Sequence, residues 1–428
     1  MDLTSQKEKN FYLHNSTLIY ILLISAFGPY ILPSIGIRFD HLVIYSIFFF
    51  LAVSKRIYIS KNSSILLMLF LLLTIFITPF FSSLNPQYVI SNSLFISQIE
   101  NYLQPIIIFL VICSLTPKNK NDLDKVFNSG LEVILWLIAL NTLFSIYILF
   151  NPDTSLVRIF NGTKIIGDFG GFSDVTNAEL NLTAGKFSGV FNQTFLVGFI
   201  YSFGLLAWAY IYKNENLHKT RLKKIILFIL IAIGGVMSFS KIFLVIGMPL
   251  FLFFIGLKRF LYISFFVFLS FLIILYFNNE LFQIIRDYEG MKYIYRLIGF
   301  SGNFLDVFTS GRFSDDSLII PGIIYTLSTN TFFGFGYGSI ETSDFSFYEI
   351  ISLGGVINLL AYSLLLIFMI LPIFFLKSTK DIYFYSFFIL LSFMSSIAAP
   401  IFTANRISII IWYVVIFFFY KSLRIRTL

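Results

Sequence analysis

The sequence predicts an all-α polytopic membrane protein of about twelve transmembrane helices, with two long outer loops of which the larger is partly helical. Three observations carry this expectation. Hydrophobic residue types make up 57% of the 428 residues and charged types only 12%, against about 25% charge in an ordinary soluble domain, and the mean hydropathy is +0.86. Apolar runs long enough to cross about 30 Å of hydrocarbon recur along the chain. The basic residues gather between alternate runs. This composition argues against a water-soluble enzyme, a nucleic-acid binder and a disordered chain, although a formal net charge of +8 would otherwise suggest a nucleic-acid partner.

Twelve apolar stretches are candidate spans, at about 17–33, 39–54, 63–81, 99–115, 127–150, 189–212, 225–239, 242–257, 260–277, 348–376, 382–399 and 407–420. Helices satisfy their own backbone in lipid, whereas barrel strands would be shorter and would alternate polar with apolar. The first stretch follows Lys7 and Lys9 as in a signal sequence. No small-residue cleavage site follows it, so it reads as an uncleaved span. The pair within 225–257 fits either two short spans or a partly re-entrant hairpin.

Charge orients these spans. With the N-terminus in the cytoplasm, the inner segments hold Lys7 and Lys9; Lys55, Arg56 and Lys61; Lys118, Lys120 and Lys125; Lys213, Lys219, Arg221, Lys223 and Lys224; Lys258 and Arg259; Lys377 and Lys380; and Lys421, Arg424 and Arg426. That is 20 of the 30 basic residues, as the positive-inside rule requires. Most acids fall outside, among them Asp168, Asp174, Asp287, Glu289, Asp306, Asp315 and Asp316. Both termini are therefore expected in the cytoplasm, and the basic excess is topological.

Two outer connections are long, 151–188 and 278–346. Loops beyond about 15 residues are usually functional or disordered. The larger has a helix-like apolar stretch at 317–327 that could lie on the membrane surface. We find no internal repeat and read residues 1–428 as a single integral membrane domain. The one cysteine, Cys113, lies in an apolar run, so no internal disulfide is available.

Outer basic residues work against the insertion rule and therefore need another reason, either ordinary solvation or anion binding. Lys241, in Ser238-Phe-Ser-Lys241, is wedged between two apolar runs, where a charge is costly unless paired or near water. Arg312 follows Ser310-Gly311, small residues that allow close approach of a ligand; it equally fits a loop-fixing role. Arg286 and Arg296 have Asp287 and Glu289 nearby, which favours local ion pairs. The glycine-rich stretch 334–338 lacks a phosphate-binding Lys and reads as a tight turn returning the loop to the membrane. His41 beside Asp40 is the one outer histidine, too little for a zinc site, and no Gly-x-Ser-x-Gly elbow occurs. An outer general base is then expected to be a carboxylate, and Asp344 and Glu341 stand just before the tenth span.

Five pieces in order resemble the O-antigen polymerase and O-antigen ligase superfamily of bacterial membrane glycosyltransferases. Lys186-Phe-Ser-Gly-Val-Phe-Asn-Gln193 is similar to its Arg-x-x-Gly-x-Phe-x-x-Pro-Asn segment, and Ser238-Phe-Ser-Lys241 to its Ser-x-Ser-Arg. Ser310-Gly-Arg312 resembles its Ser-Gly-Arg, Phe333-Gly-Phe-Gly-Tyr-Gly338 its glycine-rich return, and Asp344-Phe345 with Gly355 the ligase's His-Asn-x9-Gly. Lys186 and Lys241 replace arginines. Asp344 replaces the ligase histidine, which favours polymerase over ligase.

The resemblance implies a GT-C-like, metal-independent glycosyltransferase without cofactor. Its polyprenyl-diphosphate-linked glycan substrates would react at the periplasmic face of the bacterial inner membrane. Arg312, Lys241 and Lys186 would hold the diphosphate, with Asp344 as base. Asn192, Arg286, Arg296, Arg158 and Glu341 are further candidates for contacts to diphosphate or glycan. Membrane lipid, a chain-length regulator and a flippase are the implied partners, and no nucleic acid. A flippase or transporter of lipid-linked sugars remains the alternative of another class; it would place charges in mid-span or show broken helices.

Overall fold

A computed structural model describes residues 15–32, 37–60, 62–85, 92–117, 119–151, 154–161, 165–166, 172–173, 186–191, 193–212, 221–256, 317, 319–339, 346–398, 401–402 and 405–423. In chain order the helices are α1 (Asn15–Ser25), α2 (Phe39–Val53), α3 (Ser63–Ser82), α4 (Asn92–Leu115), α5 (Lys120–Phe150), α6 (Thr154–Asn161), α7 (Thr194–Tyr212) and α8 (Arg221–Met237). A π-helical segment (Ile242–Gly247) runs into α9 (Met248–Ile255). Then come α10 (Ile319–Thr329), α11 (Ser346–Ile370) with a 3-10 turn (Leu371–Phe374), α12 (Thr379–Ala398) and α13 (Asn405–Leu423). The described strands form two small antiparallel pairs, Tyr30–Leu32 with Ile37–Arg38 and Ile165–Ile166 with Phe172–Ser173.

Helix is present in eleven of the twelve apolar stretches; the remaining one, 260–277, lies outside the described residues. The chain is an all-α protein, and six helices among the described residues are long and apolar enough to cross a membrane: Ser63–Ser82, Leu94–Leu115, Lys120–Phe150, Phe195–Tyr212, Ser346–Phe374 and Arg406–Leu423. Helices apolar on every side are what lipid and a helical neighbour together require.

The chain divides into two compact units. The first comprises Met1–Gly28, Phe39–Val133 and Leu318–Leu428; the second Pro29–Arg38 and Ile134–Ser317. In the first unit α13 is the central pillar, buried from Ile407 to Tyr420. Gly130 lets it approach α5, where the Tyr413 hydroxyl lies 3.0 Å from the Val126 and Phe127 carbonyls. Its two ends differ in chemistry. At one, the Tyr420 hydroxyl reaches the Cys113 carbonyl and Lys421 sits 2.7 Å from Asp124 and 3.2 Å from Asp381. At the other, buried Arg406 donates to the Gly28 carbonyl at 2.9 Å.

α11 is broken. Gly355 has φ 62° and ψ −158°, a region open essentially to glycine alone. The break would strand backbone groups inside the unit, and the glycine-rich loop takes them up. Phe335 and Gly336 N–H donate to the Ser352 and Leu353 carbonyls, both at 2.8 Å. Val356 and Ile357 N–H donate to the Thr331 and Phe332 carbonyls, at 2.9 and 3.3 Å. Gly334, Gly336 and Gly338 all have positive φ, so the stretch is the tight turn its composition suggests, seated on α3 and α11. α10 lies alongside the first half of α11 in parallel register: Gly322 is pressed against Tyr348, and the Thr326 hydroxyl reaches Ser352. The expected helix at 317–327 is thus α10.

In the second unit α7 is the buried core. The α5 side chains Asn141 and Thr142 meet its Tyr201 hydroxyl at 3.0 Å each. The 225–257 stretch resolves into α8, a sharp turn, and the π segment with α9.

Candidate functional site

Two polar sites stand out, one in each unit. In the second unit the turn after α8 carries Ser238, Phe239, Ser240 and Lys241. Phe239 occupies the left-handed region with φ 46°, a cost of order 1–2 kcal/mol for a residue with a side chain. The Ser238 hydroxyl donates to the Gly235 carbonyl at 2.7 Å and buttresses the turn. Lys241 follows, half-buried, at the head of the π-helical segment; π bulges are frequent at functional positions.

The Lys186 segment lies directly against this turn. Phe187 N–H donates to the Met237 carbonyl at 3.1 Å. Gly198 of α7 leaves room for the Ser240 hydroxyl. Val190 N–H donates to Asn141 Oδ1 at 2.8 Å, and Gly189, with φ 62°, sits against the same amide. Lys186 and Lys241 are both half-buried. The segments that carry the two lysines are thus held side by side, on a scaffold tied by Asn141. Sequence reasoning missed Asn141; its signal was a lone amide within an apolar run.

In the first unit, buried polar side chains gather where α2 and α11 begin. Asp40 is fully buried, with Gln104 Nε2 at 3.5 Å. His41 Nε2 lies 3.1 Å from Glu100 and 3.9 Å from Asp40. Tyr102, one turn along α4 from Gln98, donates to Glu349 Oε1 at 3.0 Å. Gln98 accepts from Gly338 N–H at 2.7 Å, and the Tyr337 hydroxyl reaches the Phe76 carbonyl at 2.9 Å. The glycine-rich turn therefore links α3, α4 and α11 around Glu349, which is 2% exposed. Acidic groups so placed in apolar helices are functional candidates by default. Glu349 was not singled out from sequence, because it sits at a span end where a solvated acid is ordinary.

Of the expected site residues, the structure brings the Lys186 and Lys241 segments together. Arg158 is exposed on α6, whose Val157 packs on Ile148 and Phe144. Arg312, Asp344, Asn192, Arg286, Arg296 and Glu341 lie outside the described residues. Among the described residues no group of three His, Cys, Asp or Glu is arranged to hold a metal ion. No protein-family model matches the chain, and no curated protein matches it.

Proposed function

We propose that the chain is a metal-independent membrane glycosyltransferase that joins polyprenyl-diphosphate-linked oligosaccharide repeats into O-antigen or a similar surface polysaccharide. The observation that carries this proposal is the hydrogen bond from Phe187 to Met237, which sets two cation-bearing segments side by side. In the proposed arrangement twelve spans place both termini in the cytoplasm of a bacterium and the lysines at the periplasmic face of its inner membrane.

An acceptor sugar hydroxyl attacks the anomeric carbon of the donor. A new glycosidic C–O bond forms as the bond from that carbon to the diphosphate oxygen breaks. The hydroxyl proton passes to a carboxylate, for which Asp344 is the candidate, and polyprenyl diphosphate leaves with the electron pair. Negative charge develops on the leaving group, so preorganised cations are the main catalytic need. Lys241, Lys186 and Arg312 fill that role in this proposal.

A flippase or transporter of lipid-linked oligosaccharide is a second reading, favoured by the break in α11 and the buried Glu349 and Asp40. Discontinuous helices and intramembrane acids are common at transport sites. The surface glycan of a deletion strain decides. Single repeats attached to lipid support the polymerase, free long chains a ligase, and complete loss of surface glycan the transporter.

A further inference from the structure

Behind the lysine-bearing segments of the second unit, three buried polar side chains form a continuous run of hydrogen bonds. Val190 N–H, in the segment that begins at Lys186, donates to Asn141 Oδ1 at 2.8 Å. The Asn141 amide donates to the Tyr201 hydroxyl at 3.0 Å. That hydroxyl lies 3.0 Å from the hydroxyl of Thr142, which in turn lies 2.9 Å from the Leu230 carbonyl of α8. The carbonyl of Ile138, on Thr142's own helix, is farther away, at 3.2 Å. A carbonyl only accepts, so the Thr142 proton goes to Leu230 and the Tyr201 proton is left for Thr142. Every bond then runs the same way, from the Lys186 segment through α5 and α7 into the helix that ends at the Lys241 turn.

Asn141 is 2% exposed, and Thr142 and Tyr201 are fully buried. Buried polar groups are costly unless bonded; fully bonded, they fix one arrangement where apolar contacts would allow several. Two glycines let the run close. Gly189, with φ 62°, sits against the Asn141 amide, and Gly234 of α8 against the Thr142 and Tyr201 hydroxyls. The Gly234 carbonyl accepts from Ser238 N–H at 3.0 Å, the first residue of the Lys241 turn. The Lys186 segment is therefore tied to α8 twice: directly, by Phe187 to Met237, and through the three side chains, from Val190 to Leu230. Leu230 and Met237 are about two helical turns apart. One hydrogen bond leaves a hinge; two separated ties fix an angle.

We infer that Asn141, Tyr201 and Thr142 are positioning residues, which touch no substrate and hold the Lys186 segment at one fixed angle to the Lys241 turn. Their effect on rate rests on the proposed glycosyl transfer, whereas their effect on placement does not.

The test reads placement and rate separately. In membranes holding the full-length chain with Cys113→Ala, Lys186→Cys and Lys241→Cys, a short bismaleimide should join positions 186 and 241, scored by mass spectrometry of the linked peptides. Asn141→Leu removes the acceptor for Val190 and should lower the linked yield several-fold. Asn141→Asp still offers Val190 an oxygen and should leave the yield unchanged. Tyr201→Phe should lower it too, and removes a single hydroxyl, so it decides the matter even where Asn141→Leu misfolds. With both lysines in place, the purified chain should polymerise lipid-linked repeats with kcat about tenfold lower in Asn141→Leu and Tyr201→Phe and KM changed less; a misplacement of about 1 Å can cost roughly 100-fold. In a Lys186→Ala background the same substitutions should cost nothing further, because residues that act through one another are not additive. A merely structural role would add its full cost in either background. Full cross-linking in Asn141→Leu and Tyr201→Phe, or rate losses that add to that of Lys186→Ala, overturns the inference. If Lys186→Ala itself polymerises normally, that lysine leaves the proposed mechanism, and the cross-link alone decides the placement.

Discussion

Lys241 occupies a position where a charge is costly: flanked by apolar runs, half-buried, and set at the head of a π-helical segment by a left-handed Phe239. Its charge is what the proposed chemistry uses. Lys241→Ala should leave the protein in the membrane and lower the polymerisation rate about 100-fold, as loss of one preorganised donor does elsewhere. Lys241→Arg keeps the charge and should retain most activity. Both effects are read from the glycan ladder of complemented deletion cells and from membrane-fraction blots; a full-length ladder with Lys241→Ala would remove the lysine from the mechanism. Glu349 separates the two functional readings. It is 2% exposed, with the Tyr102 hydroxyl at 3.0 Å, and Glu349→Gln preserves shape and hydrogen bonding while removing the charge. If the chain polymerises glycans, this variant should support a normal ladder. If it carries lipid-linked sugars across the bilayer by way of buried acids, surface glycan should vanish.

At the scale of elements, the break in α11 and the glycine-rich turn are one construction. Backbone polar groups freed at Gly355 are taken up by residues 331–336, so neither part is stable alone inside an apolar unit. Gly355→Ala should cost about 1–3 kcal/mol for the backbone conformation. It should cost more for the new methyl, which would run into the Phe332 carbonyl. A lowered midpoint of thermal aggregation in detergent would record this. An alanine on the lipid-facing side of α3, such as Phe70→Ala, serves as the control, because Phe70 is 62% exposed. A midpoint unchanged by Gly355→Ala would mean that the helix tolerates straightening. The turn was legible in the sequence because alternating glycines have few other uses. The break was not, because residues 350–370 are mostly apolar and glycine pairs are ordinary within spanning helices. Hydropathy counts solvent preference and carries no information about a single φ angle.

At the scale of the whole molecule, what the sequence displays well is what lipid imposes on every residue alike. Eleven apolar stretches carry helices because length and hydropathy alone decide insertion. The ends proved harder: α4 begins at Asn92 and α5 at Lys120, each seven residues before its apolar run, since polar turns extend a helix beyond hydrocarbon. The candidate site was legible only in its cations. Asn141, Tyr102 and Glu349 act through partners 49 to 247 residues away, and no local pattern reports such a distance. Orientation rests on the charge asymmetry of the sequence, and the two ends of α13 carry different charged groups. Lys421, Asp124 and Asp381 mark one end, while Arg406 at the opposite end of α13 binds the Gly28 carbonyl. If the lysine-rich end is cytoplasmic, reporter fusions after residues 118, 218 and 378 should be active only inside the cell, and those after 88, 168 and 344 only outside. Fusions after 258 and 290 bracket the stretch at 260–277 and should fall on opposite sides. Reporters after 258 and 290 on the same side would remove that span, and one terminus would then have to lie outside. The proposed periplasmic placement of Arg312 and Asp344 depends on that single crossing, whereas Lys186 and Lys241 precede it and would keep their side. The fusion pair therefore tests whether cations and base can share one face of the membrane before any residue is mutated.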